Sequence, residues 1–439
     1  MLKKINHTLF KPVNIAPLII FRIFFGFLVA CEGFGAIFTG WVKTNLIDPQ
    51  FTFTFIGFEW LNVLLGPGMY GYFITLGTLG LFIMLGLKYR VSIILYTILW
   101  SGAYFIQKTS YNNHYYLLML VSMLMIFLPA NRKHALDIKW FKTKESESMG
   151  NWIRILFIAQ MAIVYIFAAL AKFYPDWLDG TFTRNLYHNR SPIEWICELF
   201  NQKWFYLSIA YLGILYDLLI VPFLLYSRTR TIALICSLIF HLTNSITLQI
   251  GIFPYFALST VVFFYNSDQV SKFFFKRKNS NNYPREDLKK HHTFLNKNLI
   301  YGLILPYLII QLILPIRHHF IKSDVLWTEE GHRLSWRMML RKRSGHISIK
   351  IVDNKTKIVS YRSFDDLTNR QYKQLATKPD FIWQYCQRIK KEYQSKDISI
   401  YVYCRNAINN KQFRTLIDPN ADFAKAKWHH LTHNPWILP

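Results

Sequence analysis

The chain has 439 residues, of which 52% are apolar, 17% aromatic and 17% charged. Soluble domains carry about one quarter charged residues, so this composition argues against a purely soluble enzyme and excludes a disordered or collagen-like chain. Lysines and arginines number 51 against 25 acidic residues, which gives a net charge of +26. Such a charge can indicate binding to nucleic acid, binding to anionic lipid, or the basic loops of a membrane protein. The positions of the basic residues along the chain distinguish these possibilities.

Long apolar runs recur through the first three quarters of the chain, and most approach the ~20 residues that cross a bilayer. These runs are Ala16–Phe38, Tyr70–Leu87, Val91–Ile106, Tyr115–Leu128, Ile153–Ala171, Trp204–Tyr226, Thr231–Leu248 and Leu299–Ile316. A shorter run, Ile252–Tyr265, follows the break at Gly251. Because several runs are short or hold polar residues, we expect a bundle with a wet interior. The sequence predicts a mainly α-helical polytopic membrane protein with about eight to nine transmembrane helices.

Basic residues cluster in alternate loops of this pattern. They precede the first span, follow the second, fourth and sixth spans, and are densest from Lys272 to Lys290. All these loops fall on one side if Ile252–Tyr265 completes a crossing or a re-entrant hairpin. The positive-inside rule makes that side cytoplasmic, so no nucleic acid is needed to explain the charge. We expect a multi-pass cell-membrane protein with a cytoplasmic N-terminus and with its active site and C-terminal segment on the outer face.

After Arg317 the hydrophobic pattern changes. Isoleucines alternate with polar residues from Ile347 to Ile351, which is typical of a strand. A second strand is predicted over Lys357–Tyr361, a helix over Asp380–Lys391 and a further strand over Ile398–Cys404. We therefore divide the chain into a membrane domain, residues 1–316, and a small extracytoplasmic α+β domain, residues 317–439. The polar run Asn279–Tyr283 is interpreted as a connector.

The five cysteines form no CxxC pair, so the sequence does not favour a zinc or redox motif. Cys386 and Cys404 share the outer domain and could pair in an oxidising compartment, but two unpaired thiols are equally consistent. Many histidines occur as adjacent pairs, whose members do not face one way on a helix or strand. We predict no metal site.

Two polar positions stand where hydrocarbon should exclude them. Asn113 and His114 lie at the outer mouth of the fourth span, where an imidazole can exchange hydrogen bonds with a substrate oxygen; equally, these residues can cap a helix. Lys172 closes the apolar run from Ile163 to Ala171. It can snorkel to water, or it can stay neutral among apolar and aromatic neighbours and act as a base.

A third polar group lies inside the seventh span. His241, Asn244 and Ser245 are spaced by three and four residues, so they can line one helical face. That face can hold a ligand or form interhelical hydrogen bonds, and the spacing favours neither.

Two acidic residues also fall within the predicted spans. For Asp217 and Glu32 the simplest expectation is an ion pair with a buried cation such as Arg22. No nucleophile elbow, Walker loop, dinucleotide fingerprint or zinc-protease helix is present. The residue patterns therefore predict a polar pocket near the outer face, but they do not name a reaction.

Five segments, in order along the chain, resemble the vitamin K-dependent γ-glutamyl carboxylases. Three match the family patterns TSxNNHxYL, AGxxK…DWxxG and FHxxNS…IGxF: Thr109–Leu117, Ala168–Gly180 and Phe240–Phe253. Two outer stretches, Asp48–Trp60 and Trp327–Met339, complete the set. The likeness covers nearly the whole chain and is to bacterial members with an HTTM membrane domain.

The resemblance implies a carboxylase of the lyase class. In that family a lysine deprotonates vitamin K hydroquinone, and oxygenation of the quinol to its epoxide supplies a strong base. That base removes a γ proton from peptide glutamate, and CO₂ captures the carbanion. By resemblance Lys172 is the catalytic lysine, and His114 assists the chemistry by hydrogen bonding. Exclusion of water protects such a base from being quenched.

The resemblance also assigns the remaining site residues and the partners. Cofactor binding falls to Asn113, His241, Asn244 and Ser245, and substrate binding to Trp336, Arg337 and His332. The cofactor is vitamin K hydroquinone or menaquinol, with O₂ and CO₂ as co-substrates and no metal. The partners are membrane lipid and a glutamate-containing protein or peptide, with no nucleic acid.

The chain also departs from the family pattern. Animal enzymes carry two adjacent lysines where this chain has Ala171-Lys172, and a cysteine that is missing from Gly86–Arg90. This chain is also much shorter, so recognition of a substrate propeptide is not carried over. Two alternatives remain: a quinol epoxidase without carboxylation, and a non-catalytic quinone- or lipid-binding membrane protein. Loss of turnover with a retained fold in Lys172→Ala distinguishes an enzyme from a binder.

Overall fold

The computed structural model describes residues 2–187, 194–276 and 297–439. Its helices are α1 (Leu2–Phe10), α2 (Ala16–Phe38), α3 (Gly68–Leu85), α4 (Tyr89–Ile106), α5 (Asn113–Met125), α6 (Leu136–Phe141), α7 (Asn151–Leu170), α8 (Pro175–Leu178), α9 (Thr181–Tyr187), α10 (Glu194–Asn201), α11 (Lys203–Leu225), α12 (Arg230–Leu248), α13 (Phe253–Ser259), α14 (Ser267–Phe275), α15 (Lys297–Ile316), α16 (Val325–Thr328), α17 (Asn369–Leu375) and α18 (Pro379–Glu392). The strands are β1 (Pro12–Asn14), β2 (Ser148–Gly150), β3 (Arg343–Asp353), β4 (Val359–Tyr361), β5 (Ile398–Ile408) and β6 (Arg414–Thr415).

Within the described residues, seven helices are long and apolar enough to cross a membrane: α2, α3, α4, α7, α11, α12 and the helix that begins at Lys297. The predicted polytopic helical fold is confirmed. The predicted fourth run, Tyr115–Leu128, corresponds to α5, which has 13 residues and so measures ~20 Å, less than the thickness of a bilayer. The predicted short run forms α13 and a 3₁₀ turn, Thr260–Phe263.

The basic loops gather at one end of the bundle. Strand β1, before the first span, pairs with β2, which follows α5 and α6. The Arg22 guanidinium donates to the carbonyl oxygens of Ala130 at 2.8 Å and of His134. Arg154 Nε similarly donates to Phe263 O at 2.6 Å, beyond α13. The chain that follows each of the short helices α5 and α13 therefore lies at the same end of the bundle as the start of α2. Residues 277–290 of the predicted basic block, with the connector Asn279–Tyr283, lie outside the described residues.

Helices α2 and α3 pack closely because glycines line their contact. A Cβ added to Gly26 would lie 2.3 Å from Met84 N, and one added to Gly80 would lie 2.6 Å from Ala30 N. Small residues at such a seam let two backbones approach, which replaces the hydrophobic driving force that lipid removes. This seam anchors α2, which carries Glu32 near its outer end.

The C-terminal region is an antiparallel sheet in the order β4–β3–β5–β6, with helices on one face. Its core contains Ile349, Ile400 and Phe381 together with Phe51 and Phe53, which come from the loop between α2 and α3. The predicted last strand extends to Ile408, and the predicted second strand is only three residues long. The predicted domain boundary at residue 316 stays a prediction.

The two cysteines of this region are unpaired. Cys386 lies on α18 and Cys404 on β5, and both are buried as free thiols. Burial raises the pKa of Cys404 to about 12, even though Arg343 and Asn406 act to lower it. A buried thiol of this kind is chemically inert. Of the two possibilities that the sequence leaves open, the structure therefore has the unpaired thiols.

A buried ion network fixes the outer sheet to the membrane bundle. Lys108, in the turn after α4, pairs with Asp380 at 2.7 Å and donates to Gln384 at 3.0 Å. Arg333 makes a two-pronged contact with the same carboxylate, at 2.8 and 3.2 Å. Burial acts to raise the pKa of Asp380, but Arg333 and Lys108 outweigh it and lower the pKa. Burial lowers the pKa of Lys108 to about 8, although Asp380 acts in the opposite direction.

Candidate active site

Lys172 lies one residue beyond the C-cap of α7, at the end of the bundle opposite the basic loops, and its side chain is buried. Its Nζ forms an ion pair with the carboxylate of Asp217, which stands in the middle of α11. The ammonium also lies 5.3 Å from the centre of the Trp177 ring. The side chain therefore points into the protein instead of snorkelling to water.

The segment after Lys172 is held from two sides. Trp177 Nε1 donates to Ala210 O on α11 at 3.0 Å, which fixes the indole against the lysine. Asp176 accepts hydrogen bonds from Asn409 at 2.8 Å and from Lys411 at 2.5 Å, both in the turn after β5. Gly180 has φ +77°, and a Cβ there would lie 2.4 Å from the Tyr206 ring. The DWxxG pattern thus has a structural basis in anchoring Lys172.

Both Asp217 and Glu32 were expected to pair with a buried cation, and only Asp217 does so. The carboxylate of Asp217 pairs with a buried cation, although that cation is Lys172 and not Arg22. Glu32 accepts a hydrogen bond from the Tyr115 hydroxyl at 2.6 Å. The expected Glu32–Arg22 ion pair is wrong, because Arg22 is occupied by backbone carbonyls at the opposite end of α2.

His241 is buried on α12, and its Nε2 lies 3.0 Å from the hydroxyl of Tyr165 on α7. Among the described residues its Nδ1 has no hydrogen-bonding partner. The Tyr165 ring meets that of Tyr216 edge-on at 6.0 Å, and Tyr216 precedes Asp217 on α11. Both roles considered for this helical face therefore have support. His241 Nε2 makes a hydrogen bond between α12 and α7, whereas Nδ1 is available for a ligand.

Phe253, at the start of α13, connects the two histidines. His114 stacks on its ring with the centroids 3.9 Å apart and the planes inclined by 12°. His241 meets the same ring nearly perpendicularly at 6.0 Å. A continuous series of ring contacts therefore runs from His114 to Tyr216, the neighbour of Asp217. The structure brings together His114, His241 and the Lys172 pair, which the sequence separates widely.

The neighbours of the histidines have different surroundings. Ser245 Oγ donates to the Tyr255 hydroxyl at 3.1 Å, and Asn244 is half-buried one residue earlier. The Asn113 side chain makes its hydrogen bonds outside the group of His114, Phe253 and His241 rings. Its amide donates to Arg337 O at 3.1 Å, and its oxygen accepts from the Tyr111 hydroxyl at 2.9 Å. In this structure Asn113 therefore ties α5 to the outer segment.

The outer segment 329–343 covers this end of the bundle with a group of basic residues. Trp336 is fully buried against Tyr116, with ring centroids 5.1 Å apart. Arg337 Nη1 lies 3.4 Å from His318 Nε2, and burial lowers its pKa to about 10. Among the described residues, the buried Nε atom of Arg337 and the indole nitrogen of Trp336 have no partner. Unpartnered buried donors are uncommon, and they indicate a place for an acceptor.

Glu329 is the acidic centre of this segment. It pairs with Arg341 and, at 3.0 Å, with Arg343. Burial acts to raise the pKa of Glu329, but Arg341 and Arg343 outweigh it, and the pKa lies well below its usual value. His332 lies 3.3 Å from Arg341, and burial together with that guanidinium holds its pKa well below the usual value. His332 therefore stays neutral beside the cations.

A large apolar groove opens on the lipid-facing side of the bundle. Its volume is about 1150 Å³, and it runs between α2, α12, α13 and α14. Its wall includes Ile252, next to Phe253, and Cys31, next to Glu32. The groove therefore reaches the region of the ring contacts. Within the described residues, no group of three or more His, Cys, Asp or Glu side chains has a metal-binding arrangement.

Two family models match the chain. The HTTM domain model matches residues 10–269, more than half of the sequence, and the model described as the vitamin K-dependent gamma-carboxylase, lumenal domain, matches residues 296–439. The chain belongs to the vitamin K-dependent gamma-carboxylase family. No solved structure matches it.

Membership of the gamma-carboxylase family confirms the resemblance read from the five sequence segments. The match to a lumenal domain also indicates that the C-terminal region is not cytoplasmic. The roles of Lys172, His114 and the other assigned residues stay predictions. Their geometry gives them a shared location, which the family models alone do not provide.

Sequence reasoning missed two members of this candidate site. Tyr165 and Tyr216 lie inside apolar runs, where a tyrosine is an ordinary helix-face residue, whereas Phe253 was already part of the segment Phe240–Phe253 that resembles the family pattern. One usable signal was the polarity of Asp217 inside an apolar span. No sequence spacing identifies its partner, because Lys172 is 45 residues away on another helix.

Proposed function

We propose that this protein is an integral-membrane vitamin K-dependent γ-glutamyl carboxylase that couples oxygenation of a quinol to carboxylation of peptide glutamate. The reduced cofactor is vitamin K hydroquinone or menaquinol, with O₂ and CO₂ as co-substrates. The observation that carries the proposal is the buried pair of Lys172 and Asp217 beside Trp177. A lysine placed in this way has the setting of a general base and not that of a solvated helix end.

Lys172 and Asp217 together provide a place for one proton. A proton that passes from Lys172 Nζ to the Asp217 carboxylate turns a buried ion pair into a neutral amine and a neutral acid, which lowers the cost of burial. The neutral amine can then accept a proton from a quinol hydroxyl. Asp217 acts as a positioning residue, because it holds the amine between α7 and α11 and receives its proton.

The residues around the pair fit a quinol. The apolar groove suits a hydrocarbon tail, and its wall includes Ile252, the residue before Phe253. We assign the aromatic head group to the region where Phe253 contacts the His114 and His241 rings. The free Nδ1 of His241 is a hydrogen-bonding atom for a ring oxygen. When bound, the quinol supplies the electrons that activate O₂ and thereby the strong base that the γ proton requires. The buried setting keeps water from quenching that base.

The basic outer segment supports the peptide half of the reaction. Arg341 and Arg343 pair with Glu329, and Arg337 lies in the same segment against His318, so the segment keeps an excess of positive charge. The Nε atoms of these three arginines are buried without a partner among the described residues. A carboxylate is the natural acceptor for such donors. We therefore assign the glutamate side chain of the peptide to this segment, with Arg337 and His332 beside it.

The arrangement of the loops supports an outer active site. The basic loops share the end opposite Lys172, so the positive-inside rule directs that end to the cytoplasm and the site to the outer face of the cell membrane. The lumenal match for the C-terminal region agrees with this direction.

The test measures two products from one reaction. Purified protein is incubated with reduced vitamin K, O₂, labelled bicarbonate and a glutamate-rich peptide, and Lys172→Ala is assayed in parallel. We expect quinone epoxide and carboxylated peptide from the unaltered protein, and neither product from the variant. Omission of the quinol should abolish both products.

Other outcomes select the alternatives. If the protein forms quinone epoxide but carboxylates none of several peptides, it is a quinol epoxidase without carboxylase activity. Quinol binding without either product would leave a non-catalytic quinone- or lipid-binding protein. Equal turnover in Lys172→Ala would overturn the role given to this lysine.

A further inference from the structure

The C-terminal sheet has one face that no element of the described chain covers. Inward residues such as Ile349 and Ile400 pack on the helices, whereas outward residues of β3 and β5 are exposed. Register places His346 opposite Arg405 and Ser348 opposite Tyr403 on that outward face. Together with the turn before β6, these residues line a groove of about 580 Å³.

The charge on this face has one sign. Lys350 and Arg405 are exposed on it, and the outward positions of β3 to β6 include no aspartate or glutamate. An ordinary solvated sheet face interleaves charges of both signs. A groove lined only by basic and neutral groups selects against cationic partners and favours anionic ones.

The face also has exposed aromatic rings. Tyr403 is 53% exposed and Tyr361 is 70% exposed. Phe413 lies at the end of the groove, where its ring is 5.1 Å from that of His346. Tyrosine and arginine are enriched where proteins bind peptides, because they supply rigid contact area and directed hydrogen bonds.

The groove leads towards the candidate active site. Phe413 is two residues from Lys411, which binds Asp176, and Asp176 is four residues from Lys172. The chain that borders the groove therefore contacts the segment that carries Lys172.

We propose that the outward face of β3 and β5 binds an acidic segment of the substrate polypeptide, next to the glutamate that is carboxylated. The inference rests on the proposed carboxylase function and adds the recognition step to it. Arg405 and Lys350 attract the side-chain carboxylates, and Tyr403 packs on the peptide backbone. The site selects for acidic sequence around the target and not for the target glutamate itself.

The test separates binding from chemistry. A fluorescent peptide with several glutamates around the target is titrated onto the full-length protein, and a second peptide keeps the target glutamate but has glutamine elsewhere. We expect the double variant Arg405→Glu with Lys350→Glu to weaken the glutamate peptide at least tenfold and the glutamine peptide little. The variant Lys391→Glu, on the helix side of the sheet, is the matched control and should bind like the unaltered protein.

The possible outcomes are distinct. Equal affinity for the two peptides, or unchanged affinity in the double variant, would overturn the docking face. Binding that follows the proposal without any product would instead count against the carboxylase function. In an active enzyme, the double variant should raise KM for the acidic peptide and leave kcat and KM for the quinol unchanged.

Discussion

Two buried lysine–aspartate pairs, Lys172 with Asp217 and Lys108 with Asp380, differ in how completely their hydrogen bonds are used. Lys108 has Asp380 and Gln384 as partners and lies 4.5 Å above the Phe381 ring, while Asp380 is shared with Arg333. Among the described residues, Lys172 has only Asp217 as a hydrogen-bonding partner, although an ammonium has three donors.

This difference in hydrogen bonding indicates that the Lys108–Asp380 pair stabilises the structure and that the Lys172–Asp217 pair is available for catalysis. The Asp380 carboxylate is shared by two buried cations, Lys108 and Arg333, and such a network stabilises one arrangement, because removing any member leaves an uncompensated charge. An unsaturated pair keeps hydrogen-bonding capacity for a ligand, and its single proton can move between the two groups. We therefore assign the Lys108 network to holding the outer sheet and the Lys172 pair to catalysis.

The largest effect is expected from Lys172→Met. Removal of the general base should lower quinone epoxide turnover by ~10²- to 10⁴-fold, the usual contribution of such a group. Quinol binding should stay close to that of the unaltered protein, because methionine fills the same volume. Thermal stability should also change little, because Asp217, left without its counter-charge, can take up a proton and become neutral. A variant that melts early would indicate that Lys172 is a structural residue like Lys108.

Asp380→Asn should act mainly on stability. It leaves Lys108 and Arg333 buried without their counter-charge, which costs ~3–5 kcal/mol. Thermal unfolding in detergent, together with limited proteolysis of the outer region, measures this loss. Asp366→Asn is the matched control, because that carboxylate is part of an outer-domain network away from the membrane bundle. Release of the outer region in the control but not in Asp380→Asn would contradict the assignment.

Asp217→Asn tests the positioning role. Asparagine keeps the shape but cannot take the proton, so turnover should fall about 10- to 100-fold, the usual size for a residue that orients a reacting group. The fall should lie in kcat and should alter the pH profile of the rate. Asp217→Glu restores the carboxylate and should recover part of the turnover. An unchanged pH profile in Asp217→Asn would mean that the aspartate only packs.

The smallest expected effect is the loss of stability at acid pH that comes from the Lys108–Asp380 pair. Folding lowers the pKa of Asp380, so its stabilisation is fully present above the unfolded-state pKa of ~3.9 and is lost as pH falls through the lower folded pKa. The difference in Tm between the unaltered protein and Asp380→Asn should therefore be equal at pH 7 and pH 5. It should narrow below about pH 4. A difference that already shrinks at pH 6 would contradict the lowered pKa.

Local signals predicted most of the fold. Long apolar runs locate the spans, and alternation from Ile347 to Ile351 locates a central strand, because both patterns depend on residues near one another in sequence. The boundaries were less predictable. Strand β5 extends to Ile408 because it pairs with β3 along its whole length, which is a long-range effect.

The lysine and the histidines of the candidate site were predictable, but its tyrosines and its contacts were not. Lys172, His114 and His241 are recognisable by polarity and family pattern, whereas the Lys172–Asp217 pair depends on how α7 and α11 pack. The insertion of Phe51 and Phe53 into the outer core depends likewise on tertiary structure. Such pairings join distant parts of the chain, and neither spacing nor propensity encodes them directly.

The most direct test of the account compares the two lysines in one assay. Quinone epoxide turnover per mole of folded protein is measured for Lys172→Met and Lys108→Met under the same conditions. The account predicts that folded Lys108→Met keeps most of its turnover but melts at lower temperature, whereas Lys172→Met keeps its Tm and loses turnover. Similar turnover in both folded variants would contradict the assignment of Lys172 as the catalytic base.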